Sequence, residues 1–86
     1  MSSGKRSPAI AAEVIRLLQK ERERRGLSKY ALAETSGLAK QTISYMEREM
    51  RSPSFETILR ISEALEVDLG KLIAQARKTV EKRGAK

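Results

Sequence analysis

Residues 28–48 have the sequence SKYALAETSGLAKQTISYMER, which contains two short helical patterns joined by a tight turn. Ser28 is a suitable N-cap for the first pattern. Gly37 suits the turn, because a positive φ is inexpensive only without a Cβ. The spacing predicts one helix over about 29–35 and a second over about 39–48. Two helices this short bury little surface by themselves, so we expect them to pack on a larger helical body.

The side chains of these two helices divide into an inner and an outer set. Ala33 is small enough to let the helices cross closely, and Ile43 and Met46 are expected to anchor the second helix to the body. The residues left facing outward on the first turns of the second helix are Lys40, Gln41, Ser44 and Tyr45. This is the spacing of a helix-turn-helix, in which the N-terminal part of the second helix enters the major groove of DNA.

Helical patterns continue before this pair, and no stretch of the chain alternates like a β-strand. A first helix is predicted over about 8–25, with Ser7 as its N-cap and Pro8 at its first helical position. Gly26 is expected to end it. Its apolar stripe consists of Ile10, Val14, Leu17 and Leu18.

Two more helices are predicted after the pair. Ser54 is expected to cap a fourth helix that ends near 64–66, and Asp68 a fifth that runs to about Lys82. The packing face predicted for the fourth helix comprises Phe55, Ile58, Leu59, Ile61, Ser62 and Leu65. The fifth helix has an apolar stripe longer than a short closing helix needs, so we assign its outer part to a contact between two chains: Leu69, Leu72, Ile73, Ala76 and Val80.

These patterns predict an all-α fold of five helices in a single domain. We expect a flexible N-terminal tail at 1–7, a helix-turn-helix DNA-binding domain at 8–82 and a flexible C-terminal tail at 83–86. A chain of 86 residues has room for only one small core.

The composition excludes most catalytic chemistry. The chain has no cysteine and no histidine, which removes disulfides, thiolate zinc sites, Cys or His nucleophiles and His-based proton transfer. We therefore expect no enzymatic activity, no metal and no cofactor.

No apolar run approaches the roughly 18 residues that a membrane span needs, so we expect a cytoplasmic protein without a membrane partner. The net charge of +7 favours a polyanionic partner, although the basic surplus lies at the two ends of the chain.

Several stretches occur in an order and at spacings that belong to one known family. They are Arg24-Arg25-Gly26-Leu27-Ser28, Ala31-Leu32-Ala33-Glu34, Gly37-Leu38, Gln41-Thr42-Ile43-Ser44-Tyr45-Met46-Glu47-Arg48 and Arg51-Ser52-Pro53-Ser54, followed by Ile58, Ile61, Ala64-Leu65-Glu66-Val67 and Leu72. With them, residues 14–74 resemble the Cro and cI repressor type of helix-turn-helix, the XRE-like regulators.

The resemblance implies a five-helix, lambda-repressor-like fold that binds double-stranded operator DNA as a two-fold homodimer, with the third helix in the major groove. Carried over position by position, it implies base-reading roles for Lys40, Gln41, Ser44 and Tyr45. It implies contacts to the DNA backbone for Lys29, Thr42, Arg48 and Arg51. It also implies a salt bridge between Arg22 and Glu47 that ties the first helix to the third.

Two positions depart from the family's pattern. Ala39 stands where Ser or Thr usually caps the third helix, which costs roughly 1 kcal/mol unless another group replaces the cap. Glu49 stands where glycine is common, so we expect the third helix to run on or to end less sharply. Glu49 also brings a negative charge near the residues expected to bind phosphate.

Two questions stay open at this stage. Tyr45 either packs on a thymine methyl or a sugar, or shields the core. The expected function is a sequence-specific DNA-binding transcriptional regulator, such as a repressor, acting on a palindromic operator. The alternative is a helix-turn-helix module that binds a protein, such as an antitoxin that neutralises a toxin, with DNA binding secondary. The sequence does not identify a further protein partner, whether a toxin or a polymerase.

Overall fold

The computed structural model describes residues 6–84 and shows five α-helices in this range. They are α1 (Ser7–Arg24), α2 (Lys29–Ser36), α3 (Lys40–Glu47), α4 (Phe55–Ala64) and α5 (Leu69–Gly84). The described residues contain no β-strand, so the predicted all-α class and helix order are confirmed. Of the predicted tails, residues 1–5 and 85–86 lie outside the described range. None of the helices in residues 6–84 is both long and apolar enough to cross a bilayer.

Three helices begin at the caps that the sequence predicts. The Ser28 side chain accepts a hydrogen bond from the backbone N–H of Ala31 at 3.0 Å, and the Ser54 side chain accepts one from Thr57 at 3.1 Å. Asp68 Oδ1 accepts from the backbone N–H of Lys71 at 3.1 Å. Each cap satisfies a donor that the first helical turn would otherwise leave unpaired.

The predicted start of α1 is wrong by one residue. Ser7 is the first helical residue and not the N-cap, because the N–H of Ile10 donates to the carbonyl of Arg6 at 2.9 Å and begins the helical ladder there. Arg6 gives no side-chain cap. Pro8 still lies in the first turn, where its missing N–H has no helical partner to lose.

Helices α1 to α4 all end in the same hydrogen-bonding motif. A residue with positive φ follows each of them: Gly26, Gly37, Glu49 and Glu66. The N–H of the next residue then donates to a carbonyl five positions back, at distances from 2.8 to 3.1 Å, in the pairs Leu27–Arg22, Leu38–Ala33, Met50–Tyr45 and Val67–Ser62. This is the Schellman motif. The expectation that α3 runs on is therefore wrong: Glu49 adopts the left-handed conformation at φ 58° and ends it.

One core holds the helices together. Its largest fully buried side chains are Leu18, Leu32, Ile43, Met46, Ile61 and Leu65, to which α5 adds Ala76. Ala33 of α2 is buried, and α2 packs against α3. α3 itself contacts both α1 and α2. The core therefore fixes the position of α3 from its inner face and leaves its outer face open.

The predicted packing face of α4 is partly wrong. Ile61, Ser62 and Leu65 are buried, but Phe55 is 69% exposed and Leu59 is 37% exposed. Leu59 is offset by one residue from the buried stripe that begins at Ile58. Phe55 lies in the first turn of α4, beside an open surface of the domain.

The apolar stripe of α5 packs within the chain. Ala76 has no exposed surface, so its assignment to a contact between two chains is wrong. Leu69, Leu72 and Ile73 are partly buried against the core, and Val80 lies beside Arg6. The stripe is long because α5 lies along α1 and makes its main helix contact there. α5 also runs two residues beyond its predicted end, and Arg83 and Gly84 are helical.

Candidate nucleic-acid interface

The residues predicted to read bases lie on the open face of α3. Ile43 and Met46 are buried beneath it, as predicted. Lys40 and Gln41 are exposed, and Ser44 and Tyr45 are half-buried. The N-terminus of α3 has no side-chain cap, because Ala39 carries no acceptor. The helix therefore presents its first polar side chains, together with uncapped backbone N–H groups, to the surroundings.

Lys29 connects the start of α2 to this face. Its Nζ donates to Ser44 Oγ at 3.4 Å, across the crossing of the two helices. A residue predicted to contact the DNA backbone thus lies within hydrogen-bond distance of a residue predicted to read bases. The contact also places a positive charge over the middle of α3.

Gln41, Tyr45 and Arg51 form a chain of contacts along one side of α3. Gln41 Nε2 donates to the Tyr45 hydroxyl oxygen at 2.7 Å. The guanidinium carbon of Arg51 lies 5.7 Å from the centroid of the Tyr45 ring, within the range of a cation–π interaction. Neither of the two roles considered for Tyr45 from the sequence includes these two contacts.

A groove separates α3 from the start of α4. It is lined by Ala39, Gln41, Thr42, Tyr45, Met46, Arg51, Ser52, Pro53, Ser54 and Thr57. Thr42 and Arg51, both predicted to bind phosphate, therefore line the same groove. The N-terminus of α4 adds its positive dipole end to that groove.

Two charged residues after α3 lie outside this groove. Arg48 is exposed and follows the last helical residue, with its backbone N–H donating to Ser44 at 3.0 Å. Glu49 lines a neighbouring surface with Pro8 and Met50. That surface also includes Arg51, so Glu49 brings a negative charge near one of the residues predicted to bind phosphate.

The predicted salt bridge between Arg22 and Glu47 is present. Arg22 Nε donates to Glu47 Oε2 at 2.8 Å, and its Nη2 donates to Oε1 at 3.0 Å. The third guanidinium nitrogen donates to the carbonyl of Leu27 at 2.7 Å. The two side chains are only 10% and 3% exposed. The hydrogen bonds that Arg22 donates to Glu47 raise the pKa of Arg22, against the opposing effect of burial.

Glu13 is a structural residue that the sequence analysis missed. Its side chain is 3% exposed, and it accepts hydrogen bonds from Arg16 at 2.7 and 3.2 Å and from Arg83 at 3.1 Å. Arg16, and secondarily Arg83, lower the pKa of Glu13, although desolvation opposes them. The i,i+3 spacing of Glu13 and Arg16 was visible in the sequence. Arg83 comes from the far end of α5, so no local pattern predicts its contact.

A comparison with known protein families finds a match to the part of the chain that contains this face. Residues 18–72 match a family model described as helix-turn-helix. The match begins in α1 and ends in α5, and it includes α2, α3 and α4 entirely. No curated protein and no solved structure matches the chain significantly.

Proposed function

Because the chain belongs to the Cro/cI-type helix-turn-helix family, which consists of DNA-binding regulators, we propose that it is a transcriptional regulator that binds a palindromic operator as a homodimer. In this proposal α3 lies in the major groove. Its N-terminal residues contact the edges of the bases, and the residues around it bind the phosphates.

The observation that carries the proposal is the composition of the open face of α3. Hydrogen-bonding side chains project from it and cations surround it: Lys29, Lys40, Arg48 and Arg51. Glu47 is the one carboxylate of α3, and both of its oxygens accept hydrogen bonds from Arg22, on the side of α3 that faces α1. Within residues 6–84 these four cations form no salt bridge, and the acid of α3 is neutralised by Arg22, so the face suits a polyanion.

The proposed roles follow from the reach and chemistry of each side chain. Gln41 combines an amide N–H and an amide oxygen, which suit the N7 and N6 groups of adenine. Lys40 is proposed to contact guanine or the backbone, and Ser44 a base edge beside Lys29. Arg51 and Thr42 are proposed to bind one phosphate between them, together with the N-terminus of α4.

An exposed apolar surface supports the homodimer. Phe55 is surrounded on it by Ile10, Ile15, Ile58, Leu69 and Ile73, and Met50 extends the same surface. Phe55 and Met50 are 69% and 58% exposed, so the surface exposes apolar side chains next to one another, as interaction sites do. We place the contact between two chains here. Leu69 and Ile73, from the stripe assigned to it by sequence, belong to this surface.

Selection of duplexes from random DNA tests the proposal directly. The expected result is an enriched inverted repeat whose half-sites are one helical turn, roughly 34 Å, apart. Enrichment of unsymmetric, merely AT-rich DNA would contradict both sequence-specific binding and the two-fold arrangement. If no DNA is enriched while the chain binds a protein partner, the alternative of a protein-binding module is correct.

A further inference from the structure

The contacts of Tyr45 show how it acts on its neighbours. Its hydroxyl oxygen accepts the amide N–H of Gln41, and its ring faces the guanidinium of Arg51. Its half-buried ring forms part of the wall of the groove between α3 and α4. Within residues 6–84, Tyr45 is therefore the residue that joins the proposed adenine contact to the proposed phosphate contact.

We propose that Tyr45 is a positioning residue that holds the Gln41 amide in the orientation that favours adenine over guanine. This inference rests on the proposed DNA-binding function and deepens it. A glutamine amide has two N–H donors and one oxygen acceptor. When Tyr45 takes one N–H, one donor and one acceptor remain.

The remaining pair of groups matches adenine and not guanine. In the major groove, adenine presents an acceptor at N7 and a donor at N6, whereas guanine presents acceptors at both N7 and O6. Free glutamine can satisfy guanine by turning both N–H groups toward it. To do so, Gln41 has to give up the arrangement in which Nε2 donates to the hydroxyl and turn its amide over, so that Oε1 accepts from Tyr45 instead.

The same hydrogen bond reduces the loss of freedom on binding. Gln41 is an exposed, long side chain that must give up rotamer freedom to contact a base. The hydrogen bond to Tyr45 already orients Gln41 in the free protein, so Gln41 loses less conformational entropy when it binds a base. This is the general effect of preorganisation. Tyr45 also holds the guanidinium of Arg51 over its ring, and this second contact needs only the ring and not the hydroxyl.

Substituting Tyr45 by phenylalanine separates these two contacts. Tyr45→Phe removes the hydroxyl and keeps the ring that faces Arg51 and fills the groove wall. At the base pair that Gln41 reads, we expect the preference for A·T over G·C to fall about fivefold, the fold-change typical of one hydrogen bond. The dependence of affinity on salt should stay unchanged, because Arg51 keeps its place.

Tyr30→Phe is the matched control. Tyr30 makes the same kind of i,i+4 hydrogen bond on α2, with its hydroxyl 2.9 Å from Glu34 Oε2, and it is exposed. Removing this hydroxyl should leave the sequence preference as it was. An equal loss in both variants would show that a helix-stabilising effect is responsible and would overturn the inference.

A double-mutant cycle with Gln41→Ala decides whether Tyr45 acts through Gln41. If it does, Tyr45→Phe has no further effect on base preference in the Gln41→Ala background. Additive effects, or a change of preference at a different base pair, would show that Tyr45 reads DNA on its own account and would overturn the inference. If the wild-type protein prefers no sequence at all, the proposed function fails, and this inference fails with it. If the wild type does prefer a sequence and Tyr45→Phe leaves it unaltered, only the inference fails.

Discussion

Glu47 connects α3 to α1 through a salt bridge with Arg22. Both of its carboxylate oxygens are bound by Arg22, whose remaining nitrogen holds the carbonyl of Leu27 after α1. A tilt of α3 about this point would move every residue of its open face relative to DNA. The salt bridge is therefore structural, but the precision of base contacts depends on it.

The first prediction tests this salt bridge. Glu47→Ala leaves a nearly buried guanidinium without its partner, so we expect the free energy of unfolding to fall by about 3 kcal/mol. Chemical denaturation followed by circular dichroism measures this. Glu56→Ala is the matched control, because it breaks the exposed pair with Arg60 and should have little effect.

Changing Arg22 and Glu47 together to apolar residues should reduce the free energy of unfolding by less than the sum of the two single changes. Additivity would show that the two do not interact.

Tyr45 illustrates what residue-level analysis of the sequence left out. The sequence predicted that this residue of α3 faces outward and left its role open between a base contact and core shielding, and the structure shows Tyr45 half-buried in the wall of the groove. The i,i+4 spacing of Gln41 and Tyr45 was visible, but the position of Arg51 depends on the path of the loop between α3 and α4. Contacts made across such a loop require the folded structure.

At the level of helices, two glutamates end α3 and α4 where a glycine would fit with less strain. Glu49 and Glu66 have φ values of 58° and 57°. A side chain in this left-handed conformation costs about 1 kcal/mol relative to glycine. Both positions keep the hydrogen bonds of a Schellman motif all the same, so backbone pairing outweighs the strain.

The second prediction follows from this strain. Glu49→Gly should raise the free energy of unfolding by about 0.5–1 kcal/mol, and Glu66→Gly should do so by a similar amount. Thermal and chemical unfolding provide the measurement. Glu63→Gly is the control, since Glu63 lies within α4 and a glycine there should destabilise the helix by about 1 kcal/mol. Destabilisation by Glu49→Gly would mean that its side chain makes a contact stronger than the strain.

Local patterns were sufficient for most helix boundaries but not for helix partners. The caps at Ser28, Ser54 and Asp68 and the turn at Gly37 involve neighbours within a few residues, so the sequence predicts them. Ala76, in the stripe of α5, was assigned to a contact between two chains because the length of the stripe was judged without knowing that α1 lies along α5. Leu69 and Ile73, in the same stripe, also line the exposed surface around Phe55. The spacing of apolar residues predicts a helix and its apolar face. It does not predict whether that face packs against the same chain or against another, because this depends on tertiary packing.

At the level of the whole molecule, the exposed surface around Phe55 determines the third prediction. If two chains meet there, dimerisation buries the apolar side chain of Phe55. Phe55→Ser removes this buried apolar surface, so it should weaken dimerisation by at least tenfold. Sedimentation at several protein concentrations, with and without operator DNA, measures the change. Leu59→Ser is the matched control, since Leu59 is an exposed apolar residue of the same helix that lines a different surface. Equal effects of both changes would place the contact elsewhere.

The charge of the whole molecule alone does not explain specific binding. The chain carries 18 basic and 11 acidic residues, and much of the basic surplus lies near its ends. A net positive charge attracts any nucleic acid and gives no preference between sequences. Specificity must therefore come from the open face of α3, and a test of the account has to separate base contacts from phosphate contacts.

Titration of the selected operator and a random duplex at three salt concentrations makes this separation with two variants. Gln41→Ala should lose about 1–3 kcal/mol of binding free energy on the operator and much less on random DNA. Arg51→Ala should weaken both by similar factors and reduce the slope of log K against log salt by roughly one unit, because one fewer phosphate is neutralised. If Gln41→Ala instead weakens both DNAs equally and leaves the preferred sequence unchanged, α3 does not read DNA in the way described, and the central claim is contradicted.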